Sequence, residues 1–253
     1  MDEIQSRFDD LTKSGEGVFD AVRGASLWTL AQRLAWLQHL EKILMRRRDE
    51  ILSVVAKEKG CNEYQVLTNE YAVVRSLCHY YLCHAPKILQ DENRSRFWSF
   101  FWSNKKVVVK KEPLGVVGII TPYNYPFSLP MGAAISALLA GNVVLLKPSE
   151  ETPNTNRLLA EIFNESLQQS RLELLCVILP ELRVIGQMLV RSPSVAKVHF
   201  TGSVAAGWNV AQESARVRFV PPTLELGGSN AAIVLEDADI EQAARIIVWA
   251  RFC

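Results

Sequence analysis

The chain has 253 residues, of which 49% are hydrophobic and 22% charged, a composition typical of a globular protein with a sizeable core. The net charge of +1 creates no strong field for nucleic acid or acidic lipid, so neither is predicted as a partner. The five cysteines form no C-x-x-C pair and only four histidines accompany them, so no metal site is predicted. The N-terminus is acidic and lacks the apolar core of a signal peptide, so we expect a cytoplasmic protein with free thiols.

Residues 113–146 contain no charged side chain, and this stretch is long enough to span a membrane as a helix. It contains Pro122, Pro126 and Pro130 together with several glycines, and each of these breaks would leave backbone groups of a spanning helix unsatisfied. We therefore expect a strand, a loop, a helix and a second strand in this stretch, and no membrane span.

The first 92 residues are predicted to be mostly helical. Leucines recur every three or four residues between Leu27 and Leu44, which is typical of an amphipathic helix, and Ser26 is its candidate N-cap. Two more helices are expected near 49–58 and 62–88. The aromatic segment R-F-W-S-F-F-W-S-N at 96–104 is either an exposed patch for a partner or a cluster that packs on the strands after it, and we favour packing.

Short apolar strands alternate with helices in the rest of the chain. The lysine-flanked segment 105–112 is predicted to be an edge or hairpin strand protected by charge. Further strands are predicted at 116–121, 143–147, 174–179, 198–201, 223–226 and 231–235, and helices at 130–141, 154–169, 184–191, from 203 and from about 240. This alternation is typical of β-α-β units, so the predicted fold class is α/β with a parallel sheet. Such sheets bind ligands at the carboxyl ends of their strands.

Three loops at that edge contain candidate functional groups. In T-P-Y-N-Y-P-F, prolines bracket Asn124 in a stiff loop, where its amide is either an oxyanion donor or an ordinary turn residue. Lys147 and Glu150 follow the next strand and could hydrogen-bond ribose hydroxyls, although charged residues often end strands. Gly202 and Ser203 open a helix whose free N–H groups favour an anion such as phosphate.

The segment L-E-L-G-G places Glu225 on a strand beside apolar residues. A carboxylate buried there would suit general-base chemistry, and the alternative is a structural glutamate in an ion pair. Gly207, in the helix after Ser203, is expected to let that helix approach the sheet closely.

Taken in order, T-P-Y-N-Y-P-F, L-L-K-P-S-E-x-T-P, K-V-H-F-T-G-S-x-x-x-G and L-E-L-G-G-S-N resemble the aldehyde dehydrogenase superfamily. The resemblance runs from about residue 25 to the end and is strong from 105 onward. It implies a doubly wound, Rossmann-like NAD(P)-binding domain over 1–226, with N-terminal helices over 1–92 and part of an oligomerisation hairpin near 105–114. Residues 227–253 would then be the start of a catalytic domain.

The resemblance also implies a reaction, the oxidation of an aldehyde to a carboxylic acid. In the family a cysteine thiolate attacks the aldehyde, hydride passes to NAD(P), and activated water hydrolyses the thioester. By this resemblance Asn124 would be the oxyanion donor and Glu225 the general base, which favours the hydrolytic branch of the family.

The residues that the resemblance implies for cofactor binding lie in the loops at the carboxyl edge of the sheet. Lys147 and Glu150 would hold the adenosine ribose, and Gly202 and Ser203 would meet the pyrophosphate. NAD is the expected cofactor, with NADP as the alternative, because the carboxylate of Glu150 repels a 2′-phosphate. The full predicted set is Thr121, Pro122, Lys147, Glu150, Gly202, Ser203 and Leu226.

Two segments depart from the family pattern. The nucleophile of the family lies in a pattern like F-x-N-x-G-Q-x-C, and Cys253 comes before its expected position, so we interpret Cys253 as a structural thiol and expect a truncated, inactive chain. Relatives also have a glycine-rich turn beside the adenine, whereas this sequence has L-P-E-L-R and no glycine there before Gly186.

Three functions remain open from the sequence. The chain is the cofactor half of a truncated dehydrogenase, one half of a split enzyme whose other chain supplies the nucleophile, or a non-catalytic interaction protein that reuses the fold. Because the docking face of a catalytic domain would be bare, we also expect self-association or a partner at that face.

Overall fold

The computed structural model describes residues 2–24, 28–94, 105–168, 176–179 and 182–252. The aromatic segment 96–104, Ser26 and Cys253 therefore lie outside the described residues.

The N-terminal part of the chain is helical, as predicted. The Thr29 hydroxyl accepts from the Gln32 backbone N–H, and the Gln32 side chain accepts from the Thr29 N–H, so these two residues form a capping box. The prediction of Ser26 as the N-cap was wrong, because this reciprocal pair starts the helix three residues later. The elements are α1 (Asp2–Gly24), α2 (Leu30–Arg46), α3 (Arg48–Lys59), α4 (Glu63–Val66), a π-helical turn (Leu67–Tyr71) and α5 (Ala72–Leu89).

The remainder of the chain alternates between strands and helices. Its elements are β1 (Glu92–Asn93), β2 (Val108–Val109), β3 (Val116–Ile120), α6 (Ser128–Leu139), β4 (Val143–Lys147), α7 (Pro153–Gln168), β5 (Cys176–Ile178), α8 (Arg183–Arg191), β6 (Lys197–Gly202), α9 (Val204–Val217), β7 (Thr223–Leu226) and α10 (Ile240–Phe252). Helix α6 ends where sequence patterning predicted, since Gly141 adopts a φ of +93° that other residues rarely take.

Five of these strands form a parallel sheet in the order β5-β4-β3-β6-β7. Strand β4 is buried along its whole length, and β3 is buried except at its last residue, because helices cover both faces of the sheet. Leu189 of α8 covers Gly118 on one face, while α6 lies over the opposite face, where Ile119 is directed. The predicted doubly wound α/β fold is confirmed.

The strand order creates a topological switch point. The chain runs outward from β3 through β4 to β5 and then returns to β6 on the other side of β3. Ile119 of β3 is in register with Leu146 of β4 and with His199 of β6, so the carboxyl ends of the three strands lie side by side. Crevices at such a point are where open α/β sheets bind ligands.

The N-terminal helices and the sheet share one hydrophobic core. The indole N–H of Trp28 donates to the Leu138 carbonyl of α6 at 3.2 Å, and that of Trp36 donates to the Ser166 hydroxyl of α7 at 3.1 Å. These bonds satisfy polar atoms that burial would otherwise penalise, and they fix the helical layer against the helices that follow β3 and β4.

The predicted hairpin strand lies within its expected range. Strand β2 pairs antiparallel with β1, and Lys111 forms an ion pair with Glu92 at 2.8 Å. The exposure of Val108 and Val109 agrees with an edge strand. Its role as an oligomerisation hairpin stays a prediction, as does the domain boundary at residue 226.

The strand predicted at 231–235 was wrong. These residues form neither a strand nor a helix, and Ile233 and Leu235 are 85% and 66% exposed. A strand needs a neighbour for its backbone hydrogen bonds, and β7, which ends at Leu226, makes no pairing with this segment. The apolar run is typical of a strand, but the described part of the chain provides no partner for it.

Candidate functional site

A cleft of about 700 Å³ lies at the carboxyl edge of the sheet, at the switch point between β3 and β6. Helices α8 and α9 form its outer walls, with Gly186 and Gln187 on one side and Asn209 on the other. All but one of the residues predicted to bind the cofactor line it: Thr121, Pro122, Lys147, Glu150, Gly202 and Ser203.

Thr121 lines the cleft, and its hydroxyl is enclosed and unsatisfied. Its backbone N–H donates to the Lys147 carbonyl at 3.2 Å, which fixes the loop after β3 beside the end of β4. The side chain is 4% exposed, and its Oγ1 atom has no hydrogen-bond partner among the described residues. A buried hydroxyl left unpaired is unfavourable, and this one is enclosed by the protein rather than open to the cleft.

An ion-pair chain runs along the cleft from Lys147 through Glu150 to Arg183. The buried Nζ of Lys147 lies 2.9 Å from Oε2 of Glu150, and Nε of Arg183 lies 2.6 Å from Oε1. Hydrogen bonds from Lys147 and then from Arg183 lower the pKa of Glu150 to about 2. The carboxylate is therefore ionised at neutral pH and held by two cations.

The N-terminus of α9 opens into the same cleft. Ser203 has extended backbone geometry and caps the helix by accepting from the Ala206 N–H at 3.3 Å. Ser203 is exposed, and both it and Ala206 line the cleft. The remaining N–H groups of this first turn favour an anion on physical grounds, and anion binding here stays a prediction.

Two other helix N-termini at this edge are already occupied by carboxylates. Glu70 accepts from the backbone N–H groups of Phe127 and Ser128 at 2.8 and 3.0 Å, at the start of α6. Glu58 accepts from those of Asn154 and Thr155, both at 2.8 Å, at the start of α7. Among these three helices, α9 is therefore the one whose first turn is left without a carboxylate.

Glu70 also anchors the loop that contains Asn124. The Glu70 carboxylate is fully buried in the π-helical turn. It forms an ion pair with Lys59, whose Nζ lies 2.8 Å from Oε1 of Glu70. The Lys59 ammonium lies 4.6 Å from the ring centroid of Tyr125, so the same cation contacts the loop directly. Sequence reasoning missed this role, because the hydrogen-bond partners are separated by more than fifty residues in the chain.

Asn124 lies at the exposed tip of that loop. It lines neither the cleft nor the second cavity described below. Both ends of the loop are tied to other elements, since the backbone N–H groups of Thr121 and Phe127 donate to Lys147 and Glu70. The stiffness of the loop stays a prediction. The role of Asn124 as an oxyanion donor stays a prediction.

Glu225 lies on the opposite face of the sheet from the cleft. It lines a second cavity of about 470 Å³ together with His199 and Thr201 of the neighbouring strand. The expectation that Glu225 is buried was wrong: β7 is the edge strand and no described element covers it, so the side chain is exposed. Burial lowers the pKa of His199, and the nearby charge of Glu225 partly opposes that effect.

Leu226 is the predicted cofactor residue that the cleft does not include. Its side chain packs on Gly207 of α9, where a Cβ atom would come within 2.5 Å of the Leu226 Cδ2 atom. Glycine thus lets α9 approach β7 closely, as predicted. A cofactor contact for Leu226 stays a prediction.

The structure describes four of the cysteines, and all four are free thiols. None of them lines the cleft. Burial raises the pKa of the Cys78 thiol to about 12, and burial also raises that of Cys176. These two are therefore protonated at neutral pH and are poor nucleophiles.

Several cleft residues were not singled out from the sequence. Arg183 is the first residue of α8, and Arg191 at the other end of that helix pairs with Glu213 of α9 at 2.7 Å. A sequence signal existed for Arg183 alone, because it lies in the segment L-P-E-L-R that departs from the family pattern.

Comparison with models of known protein families shows which family the chain belongs to. The model of the aldehyde dehydrogenase family matches residues 9–253. The chain belongs to the aldehyde dehydrogenase family.

Helices long and apolar enough to span a membrane are absent from the part of this aldehyde dehydrogenase chain that the structure describes. In the same ranges no group of three or more histidine, cysteine or acidic side chains is arranged to hold a metal ion.

Solved aldehyde dehydrogenases are similar in fold. The substrate-bound AldH of Staphylococcus aureus has 28% identity and a TM-score of 0.84, covering 95% of this chain and 51% of that one. The Mycobacterium tuberculosis aldehyde dehydrogenase complexed with NAD+ has 30% identity and a TM-score of 0.83, with coverage of 97% and 49%.

A third structure supports the fold alone. The glyceraldehyde-3-phosphate dehydrogenase GapN of Methanocaldococcus jannaschii, complexed with NADP, has 24% identity and a TM-score of 0.81, with coverage of 96% and 52%. The chain thus spans about half the length of the solved relatives that it matches.

Proposed function

We propose that this chain binds a nicotinamide dinucleotide in the cleft and is the cofactor-binding part of an NAD(P)-dependent aldehyde dehydrogenase. The observation that supports this best is the open N-terminus of α9 in a cleft that also holds the Lys147–Glu150 ion pair. A dinucleotide has the matching groups, a pyrophosphate and several hydrogen-bonding ribose hydroxyls.

The lining residues fit the parts of such a cofactor. Gly202 and Ser203 line the cleft, and we infer that they bind the pyrophosphate through the first turn of α9. Lys147 and Glu150 would bind the hydroxyls of the adenosine ribose. Thr121 and Pro122 lie between these two pairs of lining residues, at the end of β3. The bound cofactor would supply a hydride acceptor.

The chain contributes further residues to aldehyde oxidation in this proposal. Asn124, on its anchored loop, would donate a hydrogen bond to the oxyanion formed from the aldehyde. Glu225 would take a proton from the hydrolytic water.

A second candidate function is that of one half of a two-part enzyme. The specific observation is α10, whose described side chains are exposed except for the half-buried Ala243. Ile246 and Trp249 are 55% and 67% exposed, although large apolar side chains of helices are normally buried. A chain that supplies the nucleophile would cover this helix, and capture of such a chain in extracts would support the proposal.

We also propose a cytoplasmic location. The four described cysteines are unpaired, which is usual in a reducing compartment. The measurement is fractionation of cells, with the chain expected in the cytosolic fraction.

The experiment that tests dinucleotide binding is calorimetric titration of the purified chain with NAD and NADP. Ser203→Asp is the decisive variant, because aspartate is an equally good N-cap but adds a negative charge at the proposed pyrophosphate position. We expect the melting temperature to be unchanged or higher and binding to fall by roughly tenfold or more.

Ser203→Ala is the matched control. It removes the cap hydrogen bond and lowers the free energy of unfolding by about 0.5–2 kcal/mol, but it adds no charge and should weaken binding much less than aspartate does. Equal binding to the wild-type and Ser203→Asp chains would contradict the proposed site. Absence of binding to the wild-type chain would contradict the proposed function.

A further inference from the structure

Helix α5 carries a histidine and a cysteine side by side on its exposed surface. His79 and Cys83 are both exposed, and the Sγ atom of Cys83 lies 3.9 Å from the Nε2 atom of His79. Residues four positions apart lie one above the other on the same face of a helix, so the backbone of α5 holds these two side chains together. Cysteine spacing predicted no metal site, but it does not detect a pair that only a helix brings together.

The distance between the two atoms fits shared coordination of one metal ion. Zinc binds a cysteine sulfur at about 2.3 Å and an imidazole nitrogen at about 2.0–2.1 Å, so two such ligands at the tetrahedral angle lie roughly 3.6 Å apart. A small rotation of the exposed Cys83 side chain would bring its sulfur to that distance from the His79 nitrogen. The remaining coordination positions would face solvent, because both side chains are exposed.

The chemistry of the two ligands selects the class of ion. A thiolate and an imidazole suit a soft or borderline metal ion such as zinc, whereas magnesium and calcium require oxygen ligands. Two cations lie on the same helix. Arg75, one turn before His79, is paired with Glu41 at 3.0 Å, and Lys87, one turn after Cys83, is exposed, so that solvent screens its charge.

We propose that His79 and Cys83 form a surface site that binds one zinc ion through a sulfur and a nitrogen atom, with water at the other positions. On binding, the Cys83 thiol gives its proton to solvent and the Zn–S bond forms, while the neutral His79 imidazole donates its Nε2 lone pair to the ion. No atom is oxidised or reduced. The pair does not line the cofactor cleft, so the site is independent of the proposed function.

A site with two protein ligands agrees with the rest of the described chain, in which groups of three or more potential ligands are absent. His84 is the neighbouring histidine on α5, but its Nδ1–H donates to the Tyr80 carbonyl at 2.8 Å and its ring stacks on that of Tyr80, with centroids 4.4 Å apart. The site is therefore open to solvent, and we expect the bound ion to exchange rather than to be needed for folding.

The test is titration of the reduced, metal-free chain with Zn²⁺ by calorimetry and with Cd²⁺ by ultraviolet absorption, in which a cadmium–thiolate bond adds a new band. The wild-type chain is expected to bind both ions and to show the band, and an excess of Mg²⁺ should not displace them. Cys83→Ser should remove the tightest-binding component of the band. His79→Gln should keep the thiol but weaken both ions by roughly tenfold or more, because one of the two ligands is lost.

His84→Gln and Cys61→Ser are the matched controls. The first removes the adjacent histidine of α5, and the second removes a free, half-buried thiol that follows the end of α3. Neither should change the affinity for zinc or cadmium by more than about twofold. Absence of zinc binding to the wild-type chain, wild-type affinity in His79→Gln or Cys83→Ser, or an equal loss of affinity in His84→Gln would overturn the inference.

Discussion

Lys147 offers a second test of dinucleotide binding, at the carboxyl end of β4. Its side chain is buried at the end of β4, and its ammonium group contacts Glu150 inside the cleft. Lys147→Ala removes a charged hydrogen-bond donor from the ribose position, so we expect NAD affinity to fall by roughly tenfold or more in a binding titration.

Lys197→Ala provides the comparison for that variant. Lys197 is also a strand lysine, but it donates to the Pro221 carbonyl at 2.9 Å and lines the cavity on the other face of the sheet. NAD affinity should be unchanged. Equal losses in the two variants would show that the effect is general and would contradict the assignment of Lys147.

Glu150 predicts a pH dependence of stability. Its pKa falls from an ordinary value of 4.5 to about 2 in the folded chain, mainly because Lys147 and Arg183 bind the ionised form. A lowered pKa contributes stability that is fully present above pH 4.5 and is lost as the pH falls towards about 2.

The measurement is the difference in the free energy of unfolding between the wild-type chain and Glu150→Gln, determined by denaturant titration at several pH values. We expect this difference to be constant near neutral pH and to shrink in the acid range below 4.5. A difference that stays the same throughout the acid range would show that Glu150 is not held by these cations.

At the scale of single residues, sequence reasoning located the cleft better than it described its chemistry. Lys147, Gly202 and Ser203 follow apolar strands, so the parallel topology alone brings them to one edge. The unpaired hydroxyl of Thr121 and the ion pair of Arg183 depend on side-chain positions in space. No pattern in the sequence contains that information.

At the scale of elements, the N-terminal helices contribute caps to the helices of the sheet domain. Glu58 of α3 accepts from two backbone N–H groups of α7, and its carboxylate also accepts from the Thr155 hydroxyl at 2.5 Å. We predict that Glu58→Ala lowers the free energy of unfolding by about 1–2 kcal/mol, because these donors lose their acceptor.

Chemical denaturation measures that loss, and Lys57→Ala is the matched control. Lys57 is exposed on the same helix, one position before Glu58, so its removal should change the free energy of unfolding by less than about 0.5 kcal/mol. A Glu58→Ala chain as stable as the control would mean that water replaces the cap at no cost.

The same elements show where sequence patterns succeed and fail. The strands and helices from β3 to β7 were predictable, because each is an apolar run bounded by turn residues or a helical repeat. Residues 231–235 have an equally apolar pattern and form no strand, since strand formation depends on a partner outside the segment. The start of α2 was predicted three residues too early, although T-x-x-Q at Thr29 is a readable capping box.

At the scale of the whole molecule, the exposed apolar side chains after β7 predict self-association. Ile233 and Trp249 are 85% and 67% exposed, and hydrophobic surface of this kind is normally covered by protein. We expect sedimentation velocity to show concentration-dependent assembly of the wild-type chain. Replacement of both residues by serine should shift the distribution towards monomer.

The double variant should also lose any dependence of the melting temperature on protein concentration. Gln242→Ser on the exposed surface of α10 is the control and should assemble like the wild-type chain. A wild-type chain that sediments as a monomer and melts at one temperature at every concentration would contradict this prediction.

The central claim is that a nicotinamide dinucleotide binds at the carboxyl edge of the sheet, and hydrogen–deuterium exchange with and without NADP tests it most directly. We predict slower exchange in peptides that contain Thr121, Lys147–Glu150 and Gly202–Ala206, because these segments line the cleft. Peptides from α10 should exchange at the same rate in both states. Protection confined to segments outside the cleft, or no protection at a saturating concentration of NADP, would contradict the claim.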